Sequence, residues 1–502
     1  MSFTLATMLR ESRLSDPDKA LCHFGDLSFS YAQVDELSGR VAASLLDVGL
    51  VRGDKVAVHL PNLPQFLFAY FGILKAGLVM VPLNPLLRAA EIAYHLADSD
   101  ARLLITFESF ATEAVKAASE VDGVTTYVVT TPGAAQPAGT RHFDELYRCA
   151  DTGDLVPTNA DDTAVLLYTS GTTGRPKGAE LTHFQLYMNC TVSGELFGFR
   201  DDDIGVGVLP LFHVFGLSSV LNVCVRYGGT IVLLPRFEAG AVLDAIERYR
   251  CTVFSGVPTM YFALTQEDHK GRDLSLLRVG TSGGAAIPGE TIRGFEEKFD
   301  GVVILEGYGL SETASTATFN ISAEKRKVLS IGKAIWGVQV RVVDDADRPL
   351  PPGPEHVGEI VIRGHNVMKG YYKRPEATAE AFRGGWFHTG DLGYADPDGY
   401  LYIVDRKKDL IIRGGYNVYP REIEEILYAH PAIGEAAVIG RPDEKLGEEV
   451  VAVVSTTTEI AAEEIVEYCR ERLAAYKYPR EVRVVGELPK GPTGKILKKE
   501  LR

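Results

Sequence analysis

The stretch YTSGTTGRPKG, residues 168–178, decides how this chain is read. It sets Thr169, Ser170, Thr172 and Thr173 among Gly171, Gly174 and Gly178, and adds Lys177. The AVLL run just before it, at 164–167, has the composition of a buried strand. Glycine lets backbone N–H groups approach a ligand closely and take unusual dihedrals, so such a loop can converge its donors on phosphate oxygens. The hydroxyls add donors, and the lysine adds a mobile positive charge. It is not a Walker A loop, because the lysine is not preceded by glycine in the GxxxxGK[ST] spacing. A solvated hairpin turn needs one or two glycines, not four hydroxyls and a lysine as well. The composition therefore favours a triphosphate loop.

Outward from this loop, helical and extended patterns alternate. Residues 30–49 read as a helix, with Ser30 and Gln33 spaced for a capping box and Gly49 as a stop. Strand 55–60, helix 66–76, strand 78–82 and helix 89–99 follow. Beyond the loop come strand 229–234, helix 241–249 and strand 253–255. This rhythm predicts an α/β fold, with parallel sheets covered by helices. From about residue 335 short strands appear at 339–343, 358–363 and 399–404, separated by the turn signals PPGP and DPDG. They predict a small β subdomain, barrel-like, over about 335–404. After DRKKD at 405–409 an α+β tail of small-domain size remains.

The 502 residues are too many for one core, so two or more domains are expected. A net charge of −15 argues against a general binder of nucleic acid or anionic membranes. Local basic patches can still hold an anionic ligand. Cys22, Cys149, Cys190, Cys224, Cys251 and Cys469 form no CxxC pair, which suggests neither a zinc site nor a disulfide framework. Such sparse use fits a cytoplasmic protein. The first residues carry no secretory pattern, and the most apolar window, 66–83, is broken by Lys75 and Pro82. No integral membrane segment is expected.

The loop resembles the phosphate loop of the adenylate-forming superfamily, which includes acyl-CoA synthetases, aryl-CoA ligases, luciferases and nonribosomal adenylation domains. Six later motifs resemble that family's, in its order. They are LPLFHVFG at 209–216, SGGAA at 282–286, YGLSET at 308–313, WFHTGD at 386–391, DRKKD at 405–409 and PTGK at 492–495. The resemblance spans essentially the whole chain. It implies an adenylation domain over 1–404, a hinge at 405–409 and a mobile C-terminal lid over 410–502. It also implies a two-step ligase that uses ATP, Mg²⁺ and CoA. A carboxylate attacks the α-phosphate of ATP, and a thiol then displaces AMP.

The resemblance implies a role for each motif residue. Lys495 bridges carboxylate and α-phosphate, and its neighbours Thr493 and Gly494 allow a tight turn that presents it. By itself it would pass for a surface lysine in the basic tail with Lys490, Lys498 and Lys499. Glu312 is the Mg²⁺ ligand, since Mg²⁺ takes one or two carboxylates plus phosphate oxygens and water. Thr169 to Gly174 and Lys177 hold phosphates. Gly284 and Ala285 read the base edge, and Tyr308, between Gly307 and Ser311, stacks on adenine. Asp391 accepts from the ribose hydroxyls, where two carboxylate oxygens suit a vicinal diol. Arg406 reaches ribose or phosphate, Lys408 is the pivot, and Gly415 lets pantetheine pass. His213 orients the carboxylate region; alone, a histidine between Phe212 and Val214 reads as core.

The acid is less sharply drawn. No lysine or arginine enters 209–217, 256–261 or 282–288, and the small residues at 283–286 leave room for an apolar tail. A medium- or long-chain fatty acid is the first expectation and a cinnamate- or benzoate-like acid the second. Transfer to an amine or a carrier protein is the rival to CoA. A non-catalytic relative would have lost Lys495, Glu312 or Asp391, and all three are present. The residues do not distinguish a monomer from a homodimer.

Overall fold

The computed structural model describes residues 3–169 and 175–502. Two predominantly parallel sheets dominate the first 334 residues. One has seven strands, ordered Arg141–His142, Thr125–Val129, Ala101–Phe107, Lys55–His59, Val79–Pro82, Thr163–Thr169 and Lys177–Thr182. The other has nine. Its parallel centre runs from Val303–Tyr308 through Val279–Ser282, Val253–Gly256, Ile204–Gly207 and Thr230–Leu233 to Ala20–Phe24. Antiparallel strands finish both its edges. The α/β expectation holds.

The helices start where local chemistry starts them. Ser30 Oγ accepts from the Gln33 N–H at 3.2 Å and Gln33 Oε1 accepts from the Ser30 N–H at 2.8 Å, which opens Tyr31–Asp47. Thr182 and Gln185 repeat that exchange to open His183–Leu196, directly after the hairpin of the quoted loop. That loop joins antiparallel strands, with Thr169 paired to Lys177.

Residues from Val338 on form a separate five-stranded antiparallel sheet, an open half-barrel bulged at 359–361 and 392–393. Its last strand, Leu401–Arg406, stays paired through Arg406 opposite Asp391. Asp405 and Arg406 thus belong to the sheet, and only residues 407–409 form the turn out of it. There the Lys407 N–H donates to Gly390 O and the Asp409 N–H to Arg406 O, each at 2.9 Å.

The C-terminal unit has its own five-stranded sheet, with Glu481–Val485 parallel to Gly447–Thr456, and its own core. Ile423 and Leu427, one turn apart on Pro420–Tyr428, pack into that core with Val438, Val450 and Ile465. The unit docks on the larger one through the Arg421 guanidinium, which donates to Ile403 O at 2.7 Å, and through Thr259 Oγ1, which donates to Gly494 O at 3.0 Å. Among the described residues no helix is long and apolar enough to cross a membrane.

Candidate active site

One cavity of about 1350 Å³ lies where the two large sheets, the half-barrel and the 492–495 turn meet. It is lined by Thr169, Lys177, His213, Gly284, Gly307, Tyr308, Ser311, Glu312, Asp391, Arg406, Lys408 and Lys495. Residues from seven separate motifs thus reach one space. Ala285 and Gly415 do not line it; Gly415 sits at φ +84° in the turn between Ile411–Arg413 and Tyr416–Val418. Ser170, Gly171, Thr172, Thr173 and Gly174 lie outside the described residues.

Lys495 is carried by a turn closed from both sides. The Gly491 N–H donates to Lys495 O at 2.8 Å and the Gly494 N–H to Gly491 O at 2.9 Å. Gly494 takes φ +77°, and a Cβ there would stand 2.9 Å from Val257 and 3.0 Å from Thr259 Oγ1. Only glycine fits that corner. Burial, then the charges of Arg406 and Lys408, push the Lys495 ammonium down to about 8 against the pull of Asp391 and Asp409. It is not the free surface lysine that its basic neighbours suggest.

Asp391 is buried in the middle of the bulged strand Trp386–Ala395. Tyr308 Oη donates to its Oδ2 at 2.6 Å, and Arg406 Nε lies 3.1 Å from its Oδ1. Tyr308 and Gly307 close the strand Val303–Tyr308. The strand is prolonged because Gly307 pairs with Phe319 and Tyr308 with Thr318. A Cβ at Gly307 would meet the Phe319 ring at 2.6 Å, so glycine lets the aromatic wall close.

Glu312 is the middle residue of a single 3₁₀ turn, Ser311–Thr313. Its Oε1 accepts from Thr169 Oγ1 at 3.1 Å and from Tyr371 Oη at 2.9 Å. Among the described residues the second oxygen has no side-chain hydrogen bond. Among the described residues no three His, Cys, Asp or Glu side chains gather to cage a metal. One carboxylate beside a hydroxyl, in a cavity rich in cations, still fits Mg²⁺ carried in with phosphates, since that ion needs few protein ligands.

His213 receives the Phe215 N–H on Nδ1 at 3.3 Å, which leaves the proton on Nε2. Burial, then the charge of Lys495, lowers its pKa to about 4. It is a neutral donor at physiological pH, not a base. Gly284, at φ +79°, lets the backbone turn along the cavity wall.

Sequence reasoning missed three residues that organise the site. Tyr371 orients Glu312. Glu359 accepts from the Gly390 N–H at 3.0 Å and so fixes the turn before Asp391. Ser315 lines the cavity at φ +107°. Tyr371 and Glu359 lie outside every recognised motif, and nothing in the TASTA context of Ser315, residues 313–317, announces a strained backbone.

The chain matches the family described as AMP-binding enzyme over residues 9–372, and the AMP-binding enzyme C-terminal domain over 422–495. It is 40% identical to a feruloyl-CoA synthase of Amycolatopsis sp, over 98% of this chain and 97% of that protein. It is 37% identical to a long-chain-fatty-acid–CoA ligase of Bacillus subtilis (strain 168), over 99% and 94%. The crystal structure of ATP-bound MatB from Rhodopseudomonas palustris superposes with a TM-score of 0.91 at 35% identity, over 100% of this chain and 98% of that one.

Proposed function

The chain belongs to the AMP-binding enzyme family, and from that premise we propose that its cavity joins a carboxylic acid to AMP and then passes the acyl group to the thiol of CoA. The protein is an acid–thiol ligase that uses ATP and CoA. The observation that carries the reading is the meeting of Lys495, Asp391, Glu312 and His213 in one cavity, from four separated motifs. In the first half, a carboxylate oxygen bonds to the α-phosphorus and the bond to the β-phosphate bridging oxygen breaks, releasing pyrophosphate. In the second, the thiol sulfur bonds to the acyl carbon, its proton is lost, and the acyl–oxygen bond to AMP breaks.

The first half sets an anion against a polyanion, so its barrier is largely electrostatic. Lys495, Arg406, Lys408 and Lys177 supply a concentration of positive charge suited to it. Asp391, held by Tyr308 and Arg406, presents a carboxylate for a ribose diol. Neutral His213 offers an Nε2–H to the acid's carboxylate. Mg²⁺, held beside Glu312, would neutralise phosphate charge. The C-terminal unit would then turn about residues 407–409, withdraw Lys495 and bring the Gly414–Gly415 turn toward the thiol. Six unbridged cysteines, five of them buried, support a cytoplasmic setting.

Of the acids open to such a ligase, the walls favour a compact aryl acid over a long alkyl chain. Phe197, Phe215 and Phe319 line the deep end. Behind Phe197 and Ser219 there is a void of only about 10 Å³ among Phe199, Val206, Ile231 and Val253. A long chain has nowhere to extend on that line. The relative named for a feruloyl group supports the same choice, whereas the one named for long-chain fatty acids keeps alkanoates in the test.

The test is product mass. The protein is mixed with ATP, Mg²⁺ and cinnamates, benzoates, malonate or alkanoates of graded length, with and without CoA. Acyl-CoA formed only with CoA, and best from an aryl acid, is expected. Acyl-AMP that never becomes a thioester would move the acceptor to an amine or carrier. Absence of both products, with ATP unbound, would sink the ligase reading.

A further inference from the structure

The deep end of the cavity is aromatic but not dry. Ser193, on the helix His183–Leu196, is 1% exposed and lines it. Its Oγ has no hydrogen-bond partner among the described residues. Other helical hydroxyls in this protein bond back to their own turn: Ser38 Oγ donates to Val34 O at 2.6 Å and Thr191 Oγ1 to Tyr187 O at 2.7 Å. Ser193 does not take that default. Asn189, one turn earlier, makes no bond to it; its amide faces Thr316, donating to the carbonyl at 2.7 Å and accepting from the N–H at 3.2 Å.

Two other hydroxyls of the cavity wall, Ser219 and Ser315, pair with each other. Ser219 comes from the π-helix Phe215–Asn222, a wide-turned form frequent at functional sites. Its Oγ lies 2.7 Å from Ser315 Oγ and 3.4 Å from Thr316 Oγ1. Ser315 holds its position at φ +107°, after Ala314 at +54°, although neither is glycine. Such strain persists only where surrounding structure enforces it, and it gathers at ligand sites. Each hydroxyl donates once and accepts twice, so the Ser219–Ser315 pair still has capacity to spare. Ser219, about one turn beyond Phe215, also borders the small void past the cavity, which His213 does not.

A plain hydrocarbon end would desolvate these hydroxyls and return no hydrogen bond, which is costly for a buried polar group. We infer that the acid carries a hydrogen-bonding substituent at the end remote from its carboxylate, and that Ser193 and Ser315 are the residues that select for it. This rests on the ligase reading above and narrows it to ring acids bearing a hydroxyl or similar group.

The test compares 3- and 4-hydroxycinnamate with the matching methylcinnamates, at saturating ATP and CoA, by kcat/KM for the acid. Both members of a pair are measured on one preparation, so a loss of folded protein cancels in the ratio. For the better of the two positions the unaltered protein should prefer hydroxyl over methyl by tenfold or more. That ratio should fall at least threefold in Ser193→Ala or in Ser315→Gly, the latter chosen because glycine accepts the positive φ. A smaller preference, or a ratio held in both variants, overturns the inference. If alkanoates and methylcinnamates form thioesters as well as the hydroxy acids do, only this inference fails. If no acid forms acyl-AMP or a thioester and ATP does not bind, the ligase reading fails with it.

Discussion

Lys495 is where burial and charge meet. In the free protein its pKa sits near 8, pulled down by burial first and then by Arg406 and Lys408. The charged form is the one that can bridge two anions, so it is present below about pH 8 and lost as pH rises through it. Adenylation kcat/KM, which reports the free enzyme, should therefore fall on the alkaline side of pH 8. Lys495→Arg, whose guanidinium keeps its proton, should move that fall upward. Lys495→Ala should cost adenylation roughly 10²–10³-fold, the scale of one lost electrostatic donor. Thioester formation from supplied acyl-AMP should change only a few-fold. An equal loss in both halves, followed by pyrophosphate exchange and by acyl-CoA formation, would undo the assignment. His213 adds no limb to the profile between pH 5 and 8, because its pKa lies near 4.

At the scale of elements, the turn 491–495 does for Lys495 what a helix cap does for a helix. Gly494→Ala would place a residue at φ +77° and push a methyl toward Val257 and Thr259. The backbone term alone is about 1–2 kcal/mol. Adenylation should drop roughly tenfold, since each 1.4 kcal/mol is a decade. Thr259→Val should do the same more mildly, by losing the bond to Gly494 O. A drop in melting temperature of the whole protein without a selective loss of pyrophosphate exchange would argue that the corner is structural only. What the sequence made visible at this scale was local: the Ser30–Gln33 box and the helix at 89–99 follow from spacing alone. What it hid depends on distant pairing. The hinge motif loses Asp405 and Arg406 to a strand because Arg406 pairs with Asp391, and Tyr308 becomes a strand residue because Thr318 lies beside it. The strain at Ser315 has no local signature either.

For the whole molecule, two separate cores joined by a turn of three residues make the C-terminal unit a body that can move as one. The alternation of patterns and the order of motifs made both units legible. The convergence of those motifs on one cavity was legible only through resemblance, since no spacing in the chain brings Thr169 to Glu312 or Tyr308 to Asp391. Motion about residues 407–409 is the remaining inference at this scale, and a single substitution tests it. The Lys408 N–H makes no backbone hydrogen bond among those described, whereas the neighbours Lys407 and Asp409 both do. Lys408→Pro therefore removes no such bond and stiffens φ at the turn. If the two half-reactions need different orientations of the C-terminal unit, freezing the present one, with Lys495 in the cavity, should leave adenylation within about threefold. Thioester formation from acyl-AMP should then fall tenfold or more. Lys408 also carries charge into the cavity, so Lys408→Ala is measured beside it; the alanine variant loses the charge and keeps the freedom. A proline variant that matches alanine in both halves would show that residue 408 acts through its ammonium and that the turn is not where the molecule bends.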